Sequence, residues 1–243
     1  MLEAAFWALL AASSLLVGAL IAYTPPLLHW LVARHEWRLG LLMAFGSGVL
    51  ISAVAYDLVE EAVAVSVGGF DVAIGFGLGA VAFFIGNALI VRYAGSADSE
   101  PGGGLALLLG AVLDGLPESI VIGVTLLAGN GVEVAVVVAV FLSNVPEAIS
   151  STAGLVGHYR RSRVLGSWLI VVAASGLAAA AGYALLGGAP GSAIAAIQSF
   201  AAGAILVMLA DEMMPGAYQK GHTAAGLATA FGFAVAALLS FAT

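Results

Sequence analysis

Cysteine is absent from the 243 residues, which excludes disulfides and thiolate metal sites. Charge is scarce as well: Asp, Glu, Lys and Arg together make up 9% of the chain, against about 25% in an ordinary soluble domain. Only seven residues are Lys or Arg, and they form no patch suited to nucleic acid. There is no Gly-rich loop with a following Lys to cradle a nucleotide phosphate, so no ATP-driven step is expected. Gly46-Ser47-Gly48 superficially resembles a serine-nucleophile motif, but no histidine is placed to activate it. The Gly-x-Gly-Asp signature of intramembrane aspartyl proteases is also missing. An enzyme is therefore not expected.

What the chain has instead is apolar surface. Hydrophobic residues make up 62% of it and the mean hydropathy is +1.12. A globule of this composition has too few polar groups to cover itself, so most of its surface must face lipid. A spanning helix needs about 20 mostly apolar residues. Eight stretches qualify, at roughly 4–30, 40–62, 71–93, 104–128, 133–157, 164–186, 193–215 and 222–242. Polar or glycine-rich breaks separate them, including 94–103, Gly129-Asn130-Gly131 and Gly187-Gly188-Ala189-Pro190-Gly191. The first stretch begins Met1-Leu2-Glu3, has no basic leader and shows no convincing cleavage site, so it reads as a retained helix. The expectation is an all-α membrane protein, a single transmembrane domain over 1–243.

Orientation follows from a separate count. All seven basic residues fall in alternate loops: Arg34 and Arg38, then Arg92, then Arg160, Arg161 and Arg163, then Lys220. Basic residues favour the cytoplasmic side. Both termini are then extracellular or periplasmic, and an error of one helix would destroy the alternation.

Carboxylates placed inside spans are the informative residues, since each costs at least ~2.5 kcal/mol at a helix centre on insertion scales. The fourth span contains Asp114-Gly115-Leu116-Pro117-Glu118-Ser119, and the fifth contains Ser143-Asn144-Val145-Pro146-Glu147-Ala148. Both follow the pattern polar-x-x-Pro-Glu near mid-helix. Asp114 and Glu118 are four residues apart and share a helix face, as do Ser143 and Glu147, with Asn144 adjacent. Each Pro deprives a carbonyl four residues back, Leu113 or Leu142, of its helical partner. A freed carbonyl in a membrane must find water, a side chain or an ion. Buried carboxylates that converge repel one another unless protonated or paired with a cation. A bound metal, or protons alternating with it, is the simplest remedy. Further acids lie toward the span ends: Asp57, Glu60 and Glu61 on the second, Asp211 and Glu212 on the seventh. Asp57, Asp211 and Glu212 sit deepest and read as steps before and after a central site. The four histidines, His29, His35, His158 and His222, sit at span ends or in loops and read as interfacial.

These residues resemble the ZIP family of divalent metal transporters. The two Pro-Glu segments carry the resemblance most specifically. The second span from Gly48 through Asp57 to Glu61 and the seventh from Phe200 to Pro215 are similar to the family's corresponding helices. The resemblance implies metal at Asp114, Glu118, Ser143, Asn144 and Glu147. It implies a second, adjoining metal touching an acid of the seventh helix, with Asp211 the expected one. It also implies inward transport, a homodimer, residence in the plasma (inner) membrane of a prokaryote, and sliding of one helix group against another. Zinc is the family default, but Asp114 stands where histidine is usual, Gly115 where asparagine is, and Ser143 where His or Gln is frequent. The resulting site is nearly all oxygen, which suits manganese or another hard ion, with iron and cadmium also candidates as cargo. Two rivals remain: a sodium/calcium-type exchanger, whose Pro-Glu repeats are similar, and a non-transporting membrane scaffold with structural acids. If Asp114 is a ligand, Asp114→His should shift competition uptake several-fold toward zinc over manganese; an unchanged ratio removes it from the ligand set.

Overall fold

The structure is a computed structural model that describes residues 1–29, 36–66, 68–94, 115, 118–124, 126 and 134–241. Among these residues there is no strand, only an isolated bridge between Val156 and Tyr159. The helices are α1 (Leu2–Ala22), α2 (Glu36–Val65), α3 (Phe70–Ala94), a short α4 (118–124), α5 (Val134–Leu155), α6 (Arg161–Leu186), α7 (Gly191–Gly221) and α8 (Ala224–Ser240). Six of them contain segments long and apolar enough to cross a membrane, and α8 is apolar but shorter. The chain is thus an α-helical membrane protein. Most of the expected fourth span, the turn at 129–131 and nearly all of the loop at 94–103 lie outside the described residues.

Several span boundaries differ from the sequence expectation for local reasons. The first helix ends at Ala22 rather than running to 30, because Pro25 and Pro26 follow. The residue before a proline is pushed out of the helical region, and Thr24 is extended at φ −103°, ψ 98°. Pro25–Leu28 then forms one separate turn. Conversely, α2 and α7 run to 30 and 31 residues, longer than expected. Each contains a π-helical stretch, Ala53–Glu60 in α2 and Leu209–Met213 in α7. Pro146 lies inside α5 without ending it.

Small residues are turned inward and large ones outward. The buried face of α1 is Ala4, Ala8, Ala11, Ala12, Leu15, Ala19 and Ala22, at helical spacing. Its exposed side carries Leu2, Phe6, Leu9, Leu10, Val17 and Leu20, an apolar surface made for lipid. This inversion follows from the solvent: lipid does not drive large side chains inward, so helices associate where small residues let backbones approach.

The packing falls into two groups. α1 packs on α5 and α6, and the backbone around Ala179 of α6 approaches Gly123 of α4. In the other group α2 packs on α8 and on the C-terminal part of α7, while α3 packs on the N-terminal part of α7. The groups meet chiefly where α2 touches α5. Interhelical hydrogen bonds within the groups are few and specific. Trp168 Nε1 donates to Thr152 Oγ1 at 2.9 Å between α6 and α5, and Gln198 Nε2 donates to Glu61 Oε2 at 2.8 Å between α7 and α2. Such bonds contribute about 1 kcal/mol each in a membrane.

Two of the basic residues lie against the ends of other helices. Arg161 stacks over the Tyr23 ring, its guanidinium carbon 5.2 Å from the centroid, joining the end of α1 to the start of α6. Lys220, near the end of α7, lies against Gly40 near the start of α2.

Backbones come close between α2 and α8. A Cβ at Gly48 would collide with the carbonyl oxygen of Thr229, and one at Gly232 with that of Phe45. Gly48→Leu should therefore prevent α8 from docking and lower the yield of monodisperse protein in detergent severalfold. Gly77→Leu, where a side chain meets open space, should leave yield unchanged; size-exclusion chromatography of both variants tests this.

Candidate cation-binding cavities

α5 positions the chemistry. Ser143 and Glu147 lie one turn apart on its inward face, and Asn144 is one turn of the same helix from Glu147. Ser143 is 1% exposed and Asn144 6%, while Glu147 is half-buried. Glu118, on α4, is 2% exposed. Glu118, Asn144 and Glu147 line one small cavity, closed on its other sides by Ala8, Ala12 and Leu15 of α1 and by Ser175 of α6. Its volume, about 10 Å³, is close to that of one water-sized guest. Alanines on α1 matter here, because larger side chains at positions 8 and 12 would occupy the space beside the carboxylates.

Glu147 also borders a second cavity, of about 160 Å³, lined by Met43, Ser143, Glu147, Ser151, Met208, Glu212 and Met213. This one lies between the two helix groups, with α5 on one side and α2 and α7 on the other. It has room for several waters. Glu147 is therefore shared by a tight cavity and a roomy one.

The electrostatics are repulsive. Glu147 feels the carboxylate of Glu118 on one side and that of Glu212 on the other. The described basic residues lie near helix ends: Arg38 at the start of α2, Arg92 and Lys220 in the last turns of α3 and α7, Arg161 and Arg163 in the first turn of α6. Glu118 and Glu147, buried and half-buried, with the exposed Glu212 beside Glu147, need protons, water, polar partners or a metal ion.

Hydroxyl geometry favours acceptance of a cation. Ser143 Oγ donates its proton to the Val140 carbonyl at 3.0 Å. The donor is thereby spent on the helix and the oxygen lone pairs remain. Ser119 does the same toward the Gly115 carbonyl.

The residues expected from sequence are thus distributed as follows. Glu118, Asn144 and Glu147 share the small cavity, and Ser143, Glu147 and Glu212 share the large one. Asp211 and Glu212 are both exposed; Asp211 lines neither cavity, and Glu212 is the seventh-helix acid that borders the large one with Glu147. Asp57 is buried at 8% exposure within the π-helical stretch of α2. Its Oδ1 accepts a hydrogen bond from Ser240 Oγ of α8 at 2.8 Å, and it lines neither cavity. Asp114 lies outside the described residues. Among the described residues no three His, Cys, Asp or Glu side chains come together closely enough to hold a metal by themselves. His29, His158 and His222 are exposed, in keeping with interfacial positions.

Sequence reasoning did not find Met43, Met208 and Met213 as cavity residues, nor Ser175. Ser151 was detectable, being four residues beyond Glu147 on the same face. Met43 carried no signal, because an isolated methionine in an apolar helix is indistinguishable from packing.

The fold and cavities define a helical membrane protein with carboxylates gathered in its interior. No protein-family model matches this sequence, and no curated protein matches it.

Removing the shared charge should relieve the repulsion. In metal-free detergent solution at neutral pH, Glu147→Gln is expected to raise the apparent Tm by a few degrees. The same variant should lose any upward Tm shift that divalent cations give the wild type. A Tm unchanged or lowered in the absence of metal would show that Glu147 is not held against its neighbours.

Proposed function

We propose that this protein is a secondary carrier of divalent metal cations of the ZIP type, using the Glu118–Glu147 cavity as its central binding site. The observation that carries the reading is that the Glu residues of two Pro-Glu segments, 29 positions apart in sequence, line one cavity, and that one of them also borders a second cavity. A binding protein needs one such space. A carrier needs a site that can connect to a further space without releasing its ion into lipid, and Glu147 occupies the junction.

The cargo is bound by oxygen. Glu118 and Glu147 supply negative charge and Asn144 an amide oxygen, with Asp114 and Ser143 added by the family resemblance; Ser143 borders the larger cavity. Divalent cations offset the mutual repulsion of these groups more fully than a single monovalent ion does. Manganese, iron, zinc and cadmium are the candidate ions, with zinc the family default. Metal leaves the small cavity past Glu147 into the large one, where Glu212 is the next carboxylate. Asp57 as part of the outer approach rests on the resemblance, and its bond from Ser240 gives it a share in holding α8 to α2.

The wider frame belongs to the same proposal. It has eight spans, both termini outside, a homodimer and the plasma (inner) membrane of a prokaryotic cell. The alternation of basic loops supports the orientation, as do the neighbourhoods of Arg161 with Tyr23 and Lys220 with Gly40. Movement of one helix group against the other is the expected transport step.

Uptake into proteoliposomes tests the reading, using Zn²⁺, Mn²⁺, Fe²⁺, Cd²⁺, Mg²⁺ and Ca²⁺ in competition. Wild type should transport at least one of them without a sodium gradient. Glu118→Ala and Glu147→Ala should fall to the protein-free background, while Glu61→Ala should weaken uptake only modestly. Wild-type rates in the first two variants would refute the site; flux that requires sodium would favour an exchanger.

A further inference from the structure

We infer that the large cavity between the helix groups is a second cation station whose ligands include methionine sulfur, so that the carrier prefers a soft or borderline divalent cation. This rests on the reading of the chain as a metal carrier and names its cargo more narrowly. The chain has five methionines, and three of them, Met43, Met208 and Met213, line this one cavity. They face it together with Glu147 and Glu212.

The placement depends on backbone geometry. In an α-helix at 100° per residue, Met208 and Met213, five positions apart, would point about 140° away from each other. The segment Leu209–Met213 is π-helical, with hydrogen bonds reaching five residues, which brings positions five apart toward one face. Met208, Glu212 and Met213 consequently border the same space. On the opposite wall Ser143, Glu147 and Ser151 recur every four residues along α5. Met43 comes from α2, the element through which the two groups meet.

Packing alone does not account for the arrangement. Methionine is the most adaptable gap-filling side chain, and each of these three is 8% exposed or less. Yet about 160 Å³ stays open beside all three. Two carboxylates, Glu147 half-buried and Glu212 exposed, and two serines border it as well, so the space is polar where a plain packing defect would be apolar. Two carboxylates with two or three thioethers make a mixed donor set. Carboxylate supplies charge for any divalent ion, and thioether discriminates for the softer ones.

The test uses full-length protein in nanodiscs, loaded with Cd²⁺ as the soft probe, alongside Cd²⁺ and Mn²⁺ uptake in proteoliposomes. The triple variant Met43→Leu/Met208→Leu/Met213→Leu keeps volume and removes sulfur. Wild type should show cadmium–sulfur scattering by X-ray absorption. In a chain without cysteine that signal can come only from methionine. The triple variant should lose it, and its Cd²⁺ to Mn²⁺ uptake ratio should fall about tenfold. Glu212→Gln should weaken Cd²⁺ binding while retaining the sulfur signal at saturation. If wild type transports metal but cadmium shows oxygen neighbours alone, the station is overturned and the carrier reading stands. If no divalent ion is transported, the carrier reading fails, and the scattering still decides the site: sulfur neighbours lost in the triple variant support it, and oxygen alone overturns it. A triple variant that does not fold is replaced by the single variant Met213→Leu, which should lose part of the sulfur signal; an undiminished signal removes Met213 from the station.

Discussion

Negative charge confined where water is scarce is the constraint on which this structure turns. Glu147 stands between two other carboxylates, Glu118 and Glu212, which both act on it electrostatically. An isolated acid in a helix bundle can remain protonated and behave as a polar hydrogen-bonding group. Three acids arranged so that the central one feels both others are harder to explain as stabilising contacts, because each added charge raises the cost of the next. The arrangement is tolerable only with protons, water or a cation supplied, and the two cavities are where these can be held. The proposed function follows from a site that is unfavourable when empty and relieved when filled.

The bundle accommodates this site by dividing its packing. Within each helix group backbones come close: a carbon added at Gly18 of α1 would collide with the Val145 carbonyl of α5, and one at Gly48 of α2 with the Thr229 carbonyl of α8. Between the groups a cavity of about 160 Å³ lies beside the α2–α5 contact. Relative movement costs least where side chains already fail to fill space, and most where backbones touch. Any displacement that opens the site to one side of the membrane is therefore directed to the boundary that Glu147 and Glu212 share. The π-helical stretches lie on α2 and α7, the long helices of one group, and they contain Asp57, Asp211 and Glu212. Non-ideal backbone is concentrated where the acids are, as is frequent at functional positions.

Much of this was legible in the sequence, and the parts that were not have identifiable causes. Hydropathy and the alternation of basic loops pointed to a helical membrane protein, because lipid imposes a length and a composition that survive in any sequence. The spacing of Ser143 and Glu147 put them on one face, and in α5 both border one cavity despite Pro146. The end of α1 was misjudged by eight residues because hydropathy does not register that Pro25 and Pro26 halt a helix that is still apolar. Glu212 rather than Asp211 meets Glu147, a distinction the 3.6-residue period could not make across a π-helical segment. Met43 reached the cavity from another helix, and only tertiary structure reveals such a neighbour. Asp57 was legible as buried, but its bond from Ser240, 183 positions away, was not.

The two cavities also differ in chemistry, and the difference has a direction. The small one presents oxygen from carboxylate, amide and hydroxyl; the larger one adds thioether sulfur. In the proposed carrier, an ion moving from the first to the second would exchange hard donors for softer ones while remaining within reach of Glu147. A hard ion such as Mg²⁺ gains nothing from sulfur and loses ligands in the transfer, whereas a borderline ion is compensated. Selectivity need not then reside in the affinity of the central site, which from its oxygen ligands would admit many divalent ions. It can arise at the step away from that site, where only some of the ions admitted find a second set of partners. A nearly all-oxygen centre and a preference for borderline metals are compatible once Glu147 is seen to serve both cavities.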